Sequence, residues 1–221
     1  MIDIAPFLNS VPGNSLQGLR NLDRRWQDLC QGKLSPPPQV VHTVPETLGG
    51  TDVDGVICGG TLGILLAASL QMKGWRIAVI ERGILRGRDQ EWNISRHELQ
   101  TFLDLGLLTQ TELETAIATE YNPARIAFKD GIELWVKDVL NVGVDPVYLL
   151  ETLKQKFLQA GGMLWGNSAV QMATIHPDGV KIHCVDQLTQ ATKTLTAQLL
   201  MDAMGHGSPL VQQARQGERP D

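Results

Sequence analysis

The chain has 221 residues, 43% of them hydrophobic and 19% charged, with a mean hydropathy of -0.08, the composition of an ordinary globular protein with room for one substantial domain. Its net charge of -5 excludes nucleic acid as the main partner, because phosphate binding needs a basic face. The three cysteines, Cys30, Cys58 and Cys184, form no C-x-x-C pair, which argues against a disulfide framework and against a zinc site, so no metal is expected.

The N-terminal "MIDIAPFLNS" carries an acid at Asp3 and no basic region, a poor match to a secretion signal or an organelle transit peptide. No apolar run reaches the length of a membrane span. The expected location is cytoplasmic, with attachment to a membrane surface as the second reading.

Residues 1–50 read as an extension. In "NSLQGLRNLDRRWQDLCQGK", Leu16, Leu19, Leu22, Trp26 and Leu29 fall on one helical stripe, with Arg20, Arg24, Arg25 and Asp28 elsewhere. The pattern predicts an amphipathic helix docked on the main domain, with a membrane-surface helix as the rival. "SPPPQ" then stops the helix and stiffens the connection.

Residues 51–221 read as the main domain. "VDGVICGG" has the pattern of a buried strand, "TLGILLAASLQMKG" of a helix ending at Gly74, and "WRIAVIERG" of a second strand. Together they make a β-α-β unit, which needs a parallel sheet. An Arg-rich loop follows. Helices are expected around Arg96 to Leu105 and Gln110 to Ala118, and short strands at "ARIAF" and "ELWVK". Asp145 and Pro146 open a further helix, as cap and first-turn residue. Leu149, Leu150, Leu153 and Phe157 form its buried stripe, and Gly161 ends it. "MLWG" starts another strand. Beyond it, three antiparallel strands are expected, then a separate return strand "AQLLMDA" into the parallel sheet. No strand or helix is expected to close the sheet after Met201. The fold class is α/β, with a Rossmann-like central parallel sheet, helices and a three-stranded antiparallel meander.

The chemistry concentrates in "DGVICGGTLG". A dinucleotide fingerprint wants glycines at its first, third and sixth positions, held here by Cys58, Gly60 and Gly63. Gly60 lets backbone approach a pyrophosphate, and Gly63 lets the helix press on the strand. The first position serves the tight turn, where a non-glycine costs about 1–2 kcal/mol if φ is positive and little otherwise. The helix N-terminus offers N–H groups to phosphates. Glu81, at the end of the second strand, can accept hydrogen bonds from an adenosine ribose, and it disfavours a ribose phosphate there. Cys58 is read as structural, although a helix N-terminus can lower a thiol pKa. His176, His183 and His206 are too scattered to form a ligand set.

The phrases "ICGGTLG", "ERGILRGRDQEWNISR", "ATEYNPARIAF", "WVKDVLNVGVDPVYLLETLKQKFL" and "DAMGHGSP" resemble the CruA/CruP-type lycopene cyclase group of photosynthetic organisms, closest to its CruP branch. That group lies within the glutathione-reductase-type, aromatic-hydroxylase-like FAD fold. The resemblance covers about residues 50–221. It implies FAD as cofactor, an apolar carotenoid or isoprenoid substrate, and a place at or near the photosynthetic membrane. It implies that the backbone of Cys58, Gly59, Gly60, Thr61, Leu62 and Gly63 holds the pyrophosphate. Glu81 would bind the adenosine ribose, with Arg82 beside the adenine. Arg96 would reach toward the FAD phosphates or ribityl chain, and the turn containing Asp202 and Gly205 would pass near the cofactor.

The implied reaction closes lycopene rings without net electron transfer. An acid protonates a terminal double bond, the carbocation closes a ring, and a proton leaves. No catalytic residue is assigned, and Glu91 and Glu120 are not chosen. Related hydroxylases carry an Asp-Gly dyad where this chain has Met204-Gly205, and an arginine where it has Pro146; both differences favour the cyclase-like group. The alternatives are an isoprenoid or carotenoid reductase or desaturase, a non-catalytic flavin-binding paralogue, and an NAD-binding domain. Relatives of this kind continue well past the final "RPD", so a truncated chain is expected, one that need not be active on its own.

Overall fold

A computed structural model describes residues 4–11, 15–31, 33, 36–205 and 207–216. In chain order the elements are α1 (Ala5–Ser10), α2 (Ser15–Cys30), β1 (Val41–Thr43), β2 (Val53–Cys58), α3 (Gly60–Met72), β3 (Ile77–Ile80), β4 (Trp92–Ile94), α4 (Arg96–Asp104), α5 (Gln110–Ala116), β5 (Ile117–Glu120), β6 (Ala124–Ala127), β7 (Glu133–Val136), β8 (Val142–Val144), α6 (Pro146–Gln159), β9 (Met163–Trp165), β10 (Ser168–His176), β11 (Gly179–Asp186), β12 (Thr192–Asp202) and α7 (Pro209–Ala214).

A seven-stranded sheet in the order β1-β10-β11-β12-β2-β3-β9 organises the chain. Its β12-β2-β3-β9 half is parallel, and β10-β11-β12 is an antiparallel meander. β3 is buried along its whole length, and so is β2 apart from Asp54. Strands buried on both faces read as continuous apolar runs, which is why "VICGG" and "IAVI" stand out in the sequence. Alternate side chains enter two cores. Ile57, Ile77 and Val79 face α3, α4, α5 and α6. Val56, Cys58, Ala78 and Ile80 face Ala173, Val180, Ile182, Cys184, Leu195 and Ala197 of the meander.

Helices α4, α5 and α6 start where the sequence predicts. Asp145 caps α6, its Oδ1 accepting from the N–H groups of Val147 at 2.8 Å and Tyr148 at 3.2 Å, with Pro146 in the first turn. Ser95 with Glu98 and Thr109 with Glu112 form reciprocal capping boxes on α4 and α5. Leu149, Leu150, Leu153 and Phe157 are buried as expected, and α6 packs across α3.

Four expectations need correction. The return strand is not separate from the meander: β12 pairs antiparallel with β11 through Ala197, then parallel with β2 from Ala197 to Asp202. α5 stops at Ala116, where Ile117 leaves the helical region, and β5 joins β4 and β8 in a three-stranded sheet. A helix does follow Met201: α7 is capped by Ser208 and buries Leu210. The Gln213 side chain of α7 also accepts from the N–H groups of Val40 and Val41, tying it to β1. Finally, the stripe on α2 is not covered. Leu19, Leu22 and Trp26 are exposed at 43%, 60% and 65%, and Leu16 is half-buried; the Leu29 side chain lies outside the described residues.

The segment read as an extension also contributes to the sheet, since β1 runs parallel to β10 at its edge. "ARIAF" and "ELWVK" form the β6–β7 hairpin as expected.

Candidate functional site

The turn between β2 and α3 lies at the C-terminal ends of the parallel strands, the end where open α/β sheets bind ligands. The positive φ of the turn falls one residue after the first fingerprint position, at Gly59. Cys58 is the last residue of β2 and is fully buried. Gly59 has φ 97° and ψ 106°, a conformation that glycine alone adopts cheaply. A Cβ on Gly59 would lie 2.6 Å from the carbonyl carbon and oxygen of Ala203. One on Gly60 would lie 2.7 Å from the Leu85 side chain, and one on Gly63 would lie 2.6 Å from Ile57. The three glycines therefore let three different elements close on one point. Cys58 needs no glycine because its backbone is extended strand.

No side chain caps α3 at Gly59, and Thr61 and Leu62 are exposed at the opening turn. The Glu81 carboxylate stands at this turn. Its Oε2 accepts from Gly60 N–H at 2.7 Å and its Oε1 from Gly83 N–H at 3.0 Å. Leu85, buried, covers Gly60 from the loop after β3. Arg82 is exposed beside Glu81.

The Asp202–Gly205 turn forms the opposite wall. Ala203 N–H donates to the Cys58 carbonyl at 2.7 Å. Asp202 closes its own turn, accepting from Met204 N–H at 2.9 Å and from the Ser208 hydroxyl. Gly205 has φ 74° and open space around it. His206 lies outside the described residues. The structure thus brings together Cys58, Gly59, Gly60, Thr61, Leu62, Gly63, Glu81 and the Asp202 turn.

Arg96 is engaged elsewhere. Its guanidinium lies between Glu114, at 2.7 Å, and Glu120, at 2.6 Å. The two carboxylates raise the arginine's pKa, and Arg96 holds both of them below the usual carboxylate range. Glu91 accepts from the Thr119 hydroxyl at 3.0 Å, and a Cβ on Gly143 would overlap its carboxylate. Glu91 lines a hollow of about 400 Å³ at the start of α6, with Arg88, Asp145 and Pro146. A wider groove of about 810 Å³, lined by Arg76, His176 and Leu199 among others, lies at the other end of β2 and β3, away from the glycine turn. His183 has its pKa lowered, by burial and then by Lys181.

The cysteines carry a direct check. Burial pushes the Cys58 thiol up to about 12, with Cys184 and Asp202 adding to the shift. Burial pushes Cys184 up to about 11. Cys30 is exposed. Thiolate is the reactive form, so a disulfide reagent at pH 8 should titrate one fast thiol in native protein and three after denaturation. A second fast native thiol would contradict the burial of Cys58 and Cys184.

Sequence reasoning missed Leu85, the Ala203–Met204 wall and the Arg96 ion pairs. An aliphatic residue in a loop and a backbone wall carry no periodic signal. The partners of Arg96 come from two elements whose approach depends on the fold.

No protein-family model and no curated protein matches the chain. Many solved structures share its fold. The flavin-dependent monooxygenase PieE, solved in complex with FAD and substrate, matches over 75% of this chain and 32% of its own, with 18% identity and a TM-score of 0.59. The anhydrotetracycline hydroxylase OxyS from Streptomyces rimosus matches over 75% and 33%, with 22% identity and a TM-score of 0.57. The Diels-Alderase PyrE3 of pyrroindomycin biosynthesis matches over 74% and 34%, with 19% identity and a TM-score of 0.59. The chain spans about a third of the length of these proteins and has the α/β fold of their matched parts.

Proposed function

We propose that this chain is the FAD-binding part of a flavoprotein of carotenoid metabolism, one that closes lycopene rings with reduced flavin and without net redox change. The observation that carries the cofactor reading is the Glu81 carboxylate 2.7 Å from Gly60 N–H. It sets a ribose-binding group beside a pyrophosphate-binding turn. The residues fit the dinucleotide end of FAD: α3 begins without a side-chain cap, Thr61 and Leu62 are exposed in its first turn, and Gly59 and Gly60 keep side chains out of the turn. The PieE structure, with FAD in the same fold, supports FAD over free NAD.

In this reading the Thr61 and Leu62 N–H groups bind the pyrophosphate at the positive end of α3, while Gly60 N–H stays with Glu81. Glu81 retains lone pairs for ribose hydroxyls after accepting from Gly60 and Gly83. Arg82 would lie along the adenine. Arg96 could serve the cofactor only by exchanging Glu114 or Glu120 for it. Reduced flavin would supply electron density that stabilises a nearby carbocation. None of the acids is assigned as the proton donor: Glu120 is paired with Arg96, and Glu91 is bonded to Thr119.

Ring closure is favoured over hydroxylation by Met204-Gly205 and Pro146, which stand where related hydroxylases carry an Asp-Gly dyad and an arginine. PyrE3 supports it from another side, because a Diels-Alder reaction is a redox-neutral ring closure on this same fold. The hydroxylase and monooxygenase among the neighbours favour a second reading, a redox enzyme acting on an isoprenoid or carotenoid.

Purified full-length protein that contains this chain, reconstituted with FAD, should show bound-flavin absorbance. Its absence would sink every flavin reading. Anaerobic incubation of the reduced protein with lycopene then divides the rest. Cyclic product with no flavin turnover is expected. A changed number of double bonds would establish the redox enzyme, and unchanged lycopene would leave a flavin-binding protein without this activity.

A further inference from the structure

We propose that α2 is a docking helix for an anionic lipid surface, bound flat through Leu19, Leu22 and Trp26. At 3.6 residues per turn these three side chains fall within an arc of about 60°. All three are exposed, and Phe7 and Ile4 beside α1 are exposed as well. α1 packs against α2. Prolines 36–38 separate the pair from β1, a stiff spacer rather than a collapsing linker.

Charge selects the occupant. α2 carries Arg20, Arg24 and Arg25 against Asp23 and Asp28, a net of +1, in a chain whose net charge is -5. Arg25 borders the stripe beyond Leu22, and Arg20 lies beyond Leu19 on the other side; Asp23 sits at the Leu19 margin, and Arg24 lies with Asp28 on the far face. All three arginines are exposed, and none has an ion-pair partner among the described residues. Arginines flanking an apolar stripe that contains a tryptophan match the headgroup boundary, where the indole and the guanidinium stems can lie in the interface. No helix among the described residues is long and apolar enough to cross a membrane. The proposed attachment does not depend on the flavin reading, and cofactor-free protein tests it.

The experiment is sedimentation of the whole chain with phosphatidylcholine vesicles, with and without phosphatidylglycerol. Binding is expected only when the anionic lipid is present, and it should weaken with added salt. Removing the flanking charge with Arg20→Gln and Arg25→Gln together should weaken binding about 25-fold, at about fivefold per arginine. Leu22→Asp with Trp26→Asp should abolish it while thermal melting of the sheet domain stays unchanged. The double arginine variant keeps the apolar stripe, so it remains informative if the aspartates unfold α2. Failure to bind anionic vesicles would overturn the proposal, as would equal binding to neutral ones or binding that survives the aspartates. A dimer abolished by the same variants, with no lipid binding, would assign the stripe to a second copy of the chain instead.

Discussion

Gly59→Ala should destabilise the protein by roughly 3–5 kcal/mol and abolish the proposed FAD binding. Two independent costs add. The residue sits at φ 97°, ψ 106°, where an L side chain is strained. Its new Cβ would also overlap the Ala203 carbonyl and approach Met204 N within 2.8 Å. The obstacle is backbone, and that backbone is held by the bond from Ala203 N–H to the Cys58 carbonyl. It cannot move aside without opening the wall of the site. A loss of this size is a large fraction of the total stability of a domain. Urea unfolding measures it, and a change below about 1 kcal/mol would mean that the turn is built differently.

The companion substitution runs against the fingerprint. Cys58→Gly restores the consensus glycine, yet it should cost about 1–2 kcal/mol. The Cys58 side chain is fully buried in the meander core with Ala78, Ile80 and Cys184. Glycine there would leave a void and loosen a strand. The apparent defect in "VICGG" is thus a packing residue, and the turn it seemed to lack is made by the next glycine.

The legible parts of this fold are those whose own residues decide them. β2 and β3 are buried on both faces, so their apolar runs need no partner to be read. α6 announces itself through Asp145-Pro146 and a leucine stripe. What stayed hidden depends on partners. "TKTLTAQLLMD" alternates smoothly from Thr192 to Asp202, and nothing in that alternation says that its first half pairs with β11 and its second half with β2. β4, β5 and β8 have three or four residues each, too few for a period. "VHT" follows a proline run and becomes a strand only because β10 offers its edge. In the site, the glycines and Glu81 were legible because the motif encodes a local turn. The engagement of Arg96 by Glu114 and Glu120 was not, since those residues meet only after α4, α5 and β5 have packed.

Glu81→Ala should weaken FAD binding by roughly 10- to 100-fold, the effect of one or two hydrogen bonds to a charged group. The carboxylate has two roles that this substitution removes together. It holds the turn, through Gly60 N–H and Gly83 N–H, and in the proposed complex it accepts from the adenosine ribose. Flavin mononucleotide separates them, because it lacks the adenosine half. If the ribose contact exists, Glu81→Ala weakens FAD far more than flavin mononucleotide. If the carboxylate only shapes the turn, both flavins lose affinity by the same factor, and the ribose assignment is wrong. Glu81→Gln sharpens the contrast. It keeps an acceptor oxygen for one backbone N–H but removes the charge, so the turn should survive at a cost of about 1 kcal/mol while FAD still binds less tightly. Fluorescence titration of the two flavins against the three proteins reads all of these outcomes, and urea melts of the cofactor-free variants give the contribution of the turn alone.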